Sequence, residues 1–141
     1  MIQRIQTLWL LLAGVLSVLV LFYPYASGYI AEGRQLLVVR ENIFLFIIYG
    51  LLTALSVISI FLFKKRRRQK WFVTLCIMLA ALSVVVAWTQ VEGYRSQPNV
   101  RDVSFEFGIF FPVAMIIFYI LAFIAISRDD KLIRNARRLR K

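Results

Sequence analysis

Four long stretches of the chain, residues 5–31, 42–63, 71–91 and 107–127, contain no Asp, Glu, Lys or Arg. Each of the last three holds 21 or 22 residues, about 32 Å of helix at 1.5 Å per residue, against a hydrocarbon core about 30 Å thick. In the first stretch, Pro24 and the Tyr25-Ala26-Ser27-Gly28 cluster mark an exit, so its spanning part is expected over 5–23. None of the four alternates with polar residues at a period of 2 or 3.6, as a half-buried strand or a soluble amphipathic helix would. Lipid offers no partner for backbone N–H and C=O groups, so helices are required. That holds even through β-branched runs such as Leu82-Ser83-Val84-Val85-Val86.

The pattern therefore predicts an all-α membrane protein, a four-transmembrane-helix bundle. Its spans fall at about 5–23, 43–63, 71–91 and 107–127, and a tail over 128–141 completes a single integral membrane domain, 1–141. Arg4 ahead of an apolar run has the look of a signal peptide, but the run exceeds the usual 7–15-residue core of one. An uncleaved first span is expected.

Composition agrees. Hydrophobic residues make up 61% of the 141 and charged residues 18%, against about 45–50% and 25% in soluble domains. A globule of this size has too little interior to hide that surplus. There is no His, and Cys76 is the single cysteine. An intrachain disulfide, a Cys/His metal site and His-dependent triads are thereby excluded, and no metal or cofactor is expected.

The net charge of +11 acquires meaning from its distribution. The segments before the first span, between the second and third, and after the fourth are basic; the other two loops are close to neutral. By the positive-inside rule both termini and the second loop are cytoplasmic (N-in/C-in), and the first and third loops lie outside. Phe63 to Trp71, FKKRRRQKW, is then a tight cytoplasmic turn. Its Lys64, Lys65, Arg66, Arg67, Arg68 and Lys70 set orientation among anionic phospholipid headgroups, each worth about 1 kcal/mol near the surface. A nucleic-acid role is not expected of six residues held between two spans. Trp71, Trp88, Tyr23, Tyr25 and Trp9 occupy interface positions in this frame.

Inside the spans the polar groups are hydroxyls and amides, including Thr7, Ser17, Thr53, Ser56, Ser59, Ser83 and Gln90, expected as packing contacts. Small residues pair at four-residue spacing: Ala13 with Ser17, Gly50 with Ala54, Cys76 with Ala80, Ser83 with Ala87. These predict close helix contacts within the bundle, with Cys76 a buried apolar group. Pro112 kinks or starts the fourth helix. Gly33 between Tyr29-Ile30 and Leu36–Val39 fits a small hairpin.

In the tail, Leu132, Ile133, Ala136 and Leu139 share one helical face, with Arg134, Arg137, Arg138, Arg140 and Lys141 available around it. Asp129 and Asp130 suit a first turn, and Asp130 is placed to pair with Arg134. This predicts a short cytoplasmic basic amphipathic C-terminal helix on the inner leaflet, or a docking arm for a cytoplasmic partner.

Thr7-Leu8 with Leu12-Ala13-Gly14 matches Thr74-Leu75 with Leu79-Ala80-Ala81 at an offset of 67, so the two helical hairpins are candidate parallel repeats. The opening MIQRIQTLWLLLAGVLS and the closing RDDKLIRNARRLR resemble the signatures of the DUF4293 group, small bacterial four-span inner-membrane proteins of unknown function. That resemblance implies a multi-pass inner-membrane location and supplies no reaction, cofactor or catalytic residue.

No catalytic, cofactor-binding or metal-binding residue is therefore assigned. The expected role is a non-enzymatic accessory or scaffold subunit of a membrane complex, with a membrane or cytoplasmic protein partner. The alternative is a small transporter or channel for a lipid or apolar solute, which needs a cavity lined by Thr53, Ser56, Ser83 or Tyr119. An enzyme would need Glu32, Glu41, Glu92, Asp102 and Glu106 gathered around one pocket.

Overall fold

A computed structural model describes residues 2–31 and 33–139 and, for residues 2–4, 64, 134 and 136–139, the backbone only. Its elements run α1 (Ile2–Leu19), β1 (Pro24–Ile30), β2 (Gly33–Val38), α2 (Ile43–Phe61), α3 (Arg66–Arg95), β3 (Arg101–Phe105) and α4 (Phe110–Leu139). Three stretches, Ile43–Phe61, Arg66–Arg95 and Phe107–Ile133, are long and apolar enough to cross a membrane, and the apolar helix Ile5–Leu19 is shorter.

The helix starts follow from local chemistry. Asn42 caps α2, its Oδ1 accepting from the backbone N–H of Phe44 at 3.1 Å and Leu45 at 3.2 Å, which satisfies donors the first turn leaves unpaired. Pro112 sits in the first turn of α4, where its missing N–H costs nothing. It starts the helix.

Each helix packs on two others, α1 on α2 and α4, and α3 on α2 and α4. The buried positions recur at steps of four and three, alternating except at the end of α3, where two fours follow one another: Gln6, Leu10, Ala13, Ser17 and Val20 near α1, and Leu45, Tyr49, Leu52, Ser56 and Ser59 on α2. On α3 they are Gln69, Val73, Cys76, Ala80, Ser83, Ala87 and Val91, and on α4 Met115, Tyr119, Ala122, Ile126 and Asp129. This is a period of 3.5, the knobs-into-holes seam of nearly parallel or antiparallel helices. Of the small pairs expected as helix contacts, three lie in the seam. Gly50 and Ala54 do not: both are exposed on the outer face of α2, because the seam there runs through Tyr49, Leu52 and Ser56.

The hairpin expected around Gly33 is present and is part of something larger. The strands form a three-stranded antiparallel sheet in the order β2-β1-β3, so the fold is not purely helical. Gly33, at φ +129, makes the turn, a conformation open only to glycine at low cost. Between Pro24 and Ala26 the register slips by one residue, leaving Tyr25 as a bulge whose carbonyl accepts from Glu106 N–H at 3.1 Å. A second slip lies opposite Ser27 and Tyr29, where β3 carries the extra residue and Asp102 turns to φ 50. Gly108 packs against the Pro24 backbone so tightly that a Cβ would collide with the Pro24 carbonyl. These devices clamp the segment after α1 to the segment before α4.

The tail differs from expectation too. It is no separate helix: α4 continues without interruption from the apolar stretch to Leu139. The turn between α2 and α3 is also shorter than FKKRRRQKW. A 3₁₀ turn at Leu62–Lys64 ends it, and α3 begins at Arg66, so most of the basic cluster is helical.

Candidate functional site: the basic end of the helices

The start of α1, the end of α2, the start of α3 and the late part of α4 meet at one end of the molecule, opposite the sheet. Gln6 on α1 donates from Nε2 to the Ala125 carbonyl at 3.2 Å and to Asp129 Oδ2 at 3.4 Å. Arg66 at the start of α3 places Nη1 2.6 Å from the same Asp129 oxygen. One turn on, Lys70 Nζ donates to Asp130 Oδ2 at 2.8 Å. Gln69, between them, donates to the Ser59 carbonyl of α2 at 3.0 Å. All four helices are tied together within one polar layer.

The two ion pairs are not equivalent. The side chains of Arg66 and Asp129 are 19% and 12% exposed, those of Lys70 and Asp130 23% and 34%. A charge pair largely out of water is costly to break from one side, because the survivor is left uncompensated; a pair more open to water is worth less, under about 1 kcal/mol when it is at the surface. Asp129 is thus a central fastener, a role its place in the tail sequence did not suggest. The signal was there: an acidic residue three after Ile126, on the 3.5-residue seam of α4.

The basic residues singled out from the sequence divide accordingly. Arg66 and Lys70 turn inward to the aspartates, whereas Lys65, Arg67 and Arg68 are exposed on the outer side of α3's first turn. Lys64 closes the 3₁₀ turn, and Arg134, Arg137 and Arg138 lie on the last turns of α4. Arg140 and Lys141 lie outside the described residues. No acidic residue occupies the first turn of α3, so an exposed cationic surface stands at the positive end of a 30-residue helix. Such a surface suits anionic headgroups or an acidic partner.

In the apolar middle, hydroxyls bond one another. Ser56 Oγ donates to the Leu52 carbonyl at 2.8 Å; its one proton being used there, the Tyr119 hydroxyl is the donor in their 2.7 Å contact. Ser17 Oγ and Thr53 Oγ1 are 2.7 Å apart. An enclosed space near the sheet, beside Tyr49, Trp88 and Gly108, measures about 30 Å³, room for about one water. A groove of about 420 Å³ opens between α1 and α2, lined by Leu10, Val15, Thr53, Ser56 and Ile60 among others.

At the sheet end, Glu106 accepts from Ser27 Oγ at 2.7 Å and pairs with Arg34. The Ser27 hydrogen bond, then the Arg34 guanidinium, hold its carboxyl below the usual range. Burial, with Glu41 adding, pushes the Tyr25 phenol up. Glu106 is therefore a structural acceptor in the sheet. Glu41, Glu92 and Asp102 stand on separate elements, Glu32 lies outside the described residues, and among the described residues no three metal-ligating side chains converge.

The model of the domain of unknown function DUF4293 matches residues 2–139. The chain belongs to that family. The match takes in α1 through α4, so the DUF4293 unit contains the sheet and the polar layer as well as the apolar helices. No curated protein and no solved structure matches the chain.

Proposed function

We propose that the chain is a four-span inner-membrane protein with both termini and residues 64–70 cytoplasmic, acting as a non-enzymatic accessory or scaffold subunit of a membrane complex. One observation carries this reading: α4 runs unbroken past its apolar stretch, which ends at Ser127, to Leu139. Those 12 residues, 128 to 139, extend about 18 Å, and they stand beside the exposed Lys65, Arg67 and Arg68 of α3. A basic helical extension whose first turn is anchored to α1 and α3 through Asp129 and Asp130 suits contact with a partner beyond the bilayer better than lying along a leaflet.

Counting residues 5–23 as a span is supported by the winding after α1. Val20 N–H bonds the Leu16 carbonyl at 3.0 Å and Tyr23 N–H the Leu19 carbonyl at 3.3 Å, so turns continue to Tyr23 beyond the shorter apolar helix Ile5–Leu19, in favour of a first span over 5–23. The basic layer at one end and the near-neutral sheet at the other match the asymmetry of charge across a cytoplasmic membrane. Affinity purification of the full chain in mild detergent should recover a stoichiometric partner, lost when Lys65, Arg67, Arg134 and Arg138 are changed together to Gln. Recovery of the chain alone, with intact fold, overturns the scaffold reading.

A second reading, transport of a lipid or apolar solute, is favoured by the 420 Å³ groove, where Thr53 and Ser56 lie among Leu, Val and Ile side chains. Gly14→Leu would fill that groove from α1. Unchanged solute flux in reconstituted vesicles with this variant would remove the reading.

A further inference from the structure

A second groove, of about 400 Å³, runs between α1 and α4 near the basic end. Its walls are Ile5 and Trp9 on one side and Leu121, Ile124, Arg128 and Leu132 on the other. From Leu121 to Leu132 the α4 wall is about 16 Å long. Trp9 is held by stacking on Phe118, centroids 5.6 Å apart and planes 21° from parallel. Behind the groove, Gln6 bonds Ala125 and Asp129, which keeps the two helices at a set distance.

The charge at this site is unbalanced by design of the neighbourhood. Asp129 and Asp130 face Arg66 and Lys70 across the α3 interface. Arg128, one residue earlier and about 100° round the helix, is exposed and lines the apolar groove. The apolar trough runs about 10 Å along α4 from Leu121 to Arg128, with Leu132 a turn beyond the arginine and an amphipathic indole along its side; an acyl chain along the trough with a phosphate at the guanidinium fits this order of groups.

We propose that the α1/α4 groove holds a single anionic phospholipid, its acyl chain between Trp9 and Ile124 and its headgroup phosphate on Arg128. This rests on the membrane placement given above and deepens it by naming a defined lipid site apart from the diffuse basic surface of α3. A bound lipid here would fill the seam between the first and last helices at the base of the α4 projection.

Trp9 reports on the site directly. In the Trp71→Phe/Trp88→Phe double variant it is the remaining tryptophan. This protein is reconstituted into phosphatidylcholine vesicles containing either phosphatidylglycerol or phosphatidylcholine with brominated acyl chains, at equal mole fraction. The expected result is stronger quenching by the brominated phosphatidylglycerol. Arg128→Gln should erase that preference, lowering apparent affinity about fivefold, the effect of one cation near an anionic surface. Arg67→Gln, which removes a charge from α3 outside the groove, should leave it. Equal quenching by the two lipids, or equal loss in the Arg67 variant, overturns the site and leaves the four-span reading standing. No quenching by either lipid overturns both, since Trp9 would then lie outside the bilayer.

Discussion

The Tyr119 hydroxyl of α4 lies 2.7 Å from Ser56 Oγ of α2, joining two helices that are not neighbours in the cyclic packing order. Both residues are almost wholly buried, so the bond crosses the middle of the helical layer. In lipid, apolar side chains gain little by leaving one apolar surface for another, and polar links of this kind help select one arrangement. Tyr119→Phe keeps the ring and deletes the donor. We expect a loss of about 0.6–1.7 kcal/mol, read as lower resistance to unfolding in mixed detergent micelles. Ser56→Ala should cost little more once Tyr119→Phe is present, and full additivity in that double-mutant cycle would mean the bond contributes nothing.

Asp129 holds the basic end together. Asp129→Asn removes the charge facing Arg66 while preserving shape, and should destabilise by about 3 kcal/mol, as one-sided removal from a largely buried pair does. Asp130→Asn, at the more exposed pair, should cost under about 1 kcal/mol. Thermal unfolding of the purified protein in detergent separates the two. Similar losses for both would show that burial of the Arg66–Asp129 pair has no energetic consequence.

Glu106 ties stability to pH. Its folded-state pKa is depressed by Ser27 and Arg34, so its contribution is complete above the unfolded-state value of about 4.3 and is lost as pH falls through the lower folded value. The sheet should therefore loosen in acid before the helices do. Amide exchange at β1 and β3 measures this, and Glu106→Gln should flatten the dependence below pH 5 or so. An unchanged acid limb in the variant would assign the loosening to another group.

Gly108 is required by contact, with no positive φ involved. A Cβ there meets the Pro24 carbonyl, so Gly108→Ala should cost about 1–3 kcal/mol by overpacking and increase proteolytic cleavage between α1 and β1. Gly50→Ala, where a Cβ meets open space, is the matched control and should be neutral or slightly stabilising.

Hydropathy alone was sufficient for the apolar helices and for the separation of basic and neutral segments. Windows free of charge and 21 residues long mean the same thing in any tertiary context, because the cost of an unpaired backbone in lipid is local. Pro112 marked the start of α4 for an equally local reason, whereas the Asn42 cap of α2 was found only in the structure. The sheet was half legible: Gly33 announced the β1–β2 turn, but β3 pairs with β1 across some 75 residues of sequence, and Arg101–Phe105 carries too short a pattern to declare itself.

What the sequence by itself determined is which segments are apolar enough for lipid and which segments carry the charge. What only the tertiary structure decided is which face of each helix turns inward, and with it the partners of Asp129 and Tyr119. The reason is physical. In water, burial follows polarity, so the inner face can be read from apolar residues; in a bilayer both faces are apolar, and the inner one is chosen by size, shape and a few hydrogen bonds that exist only once the helices have met.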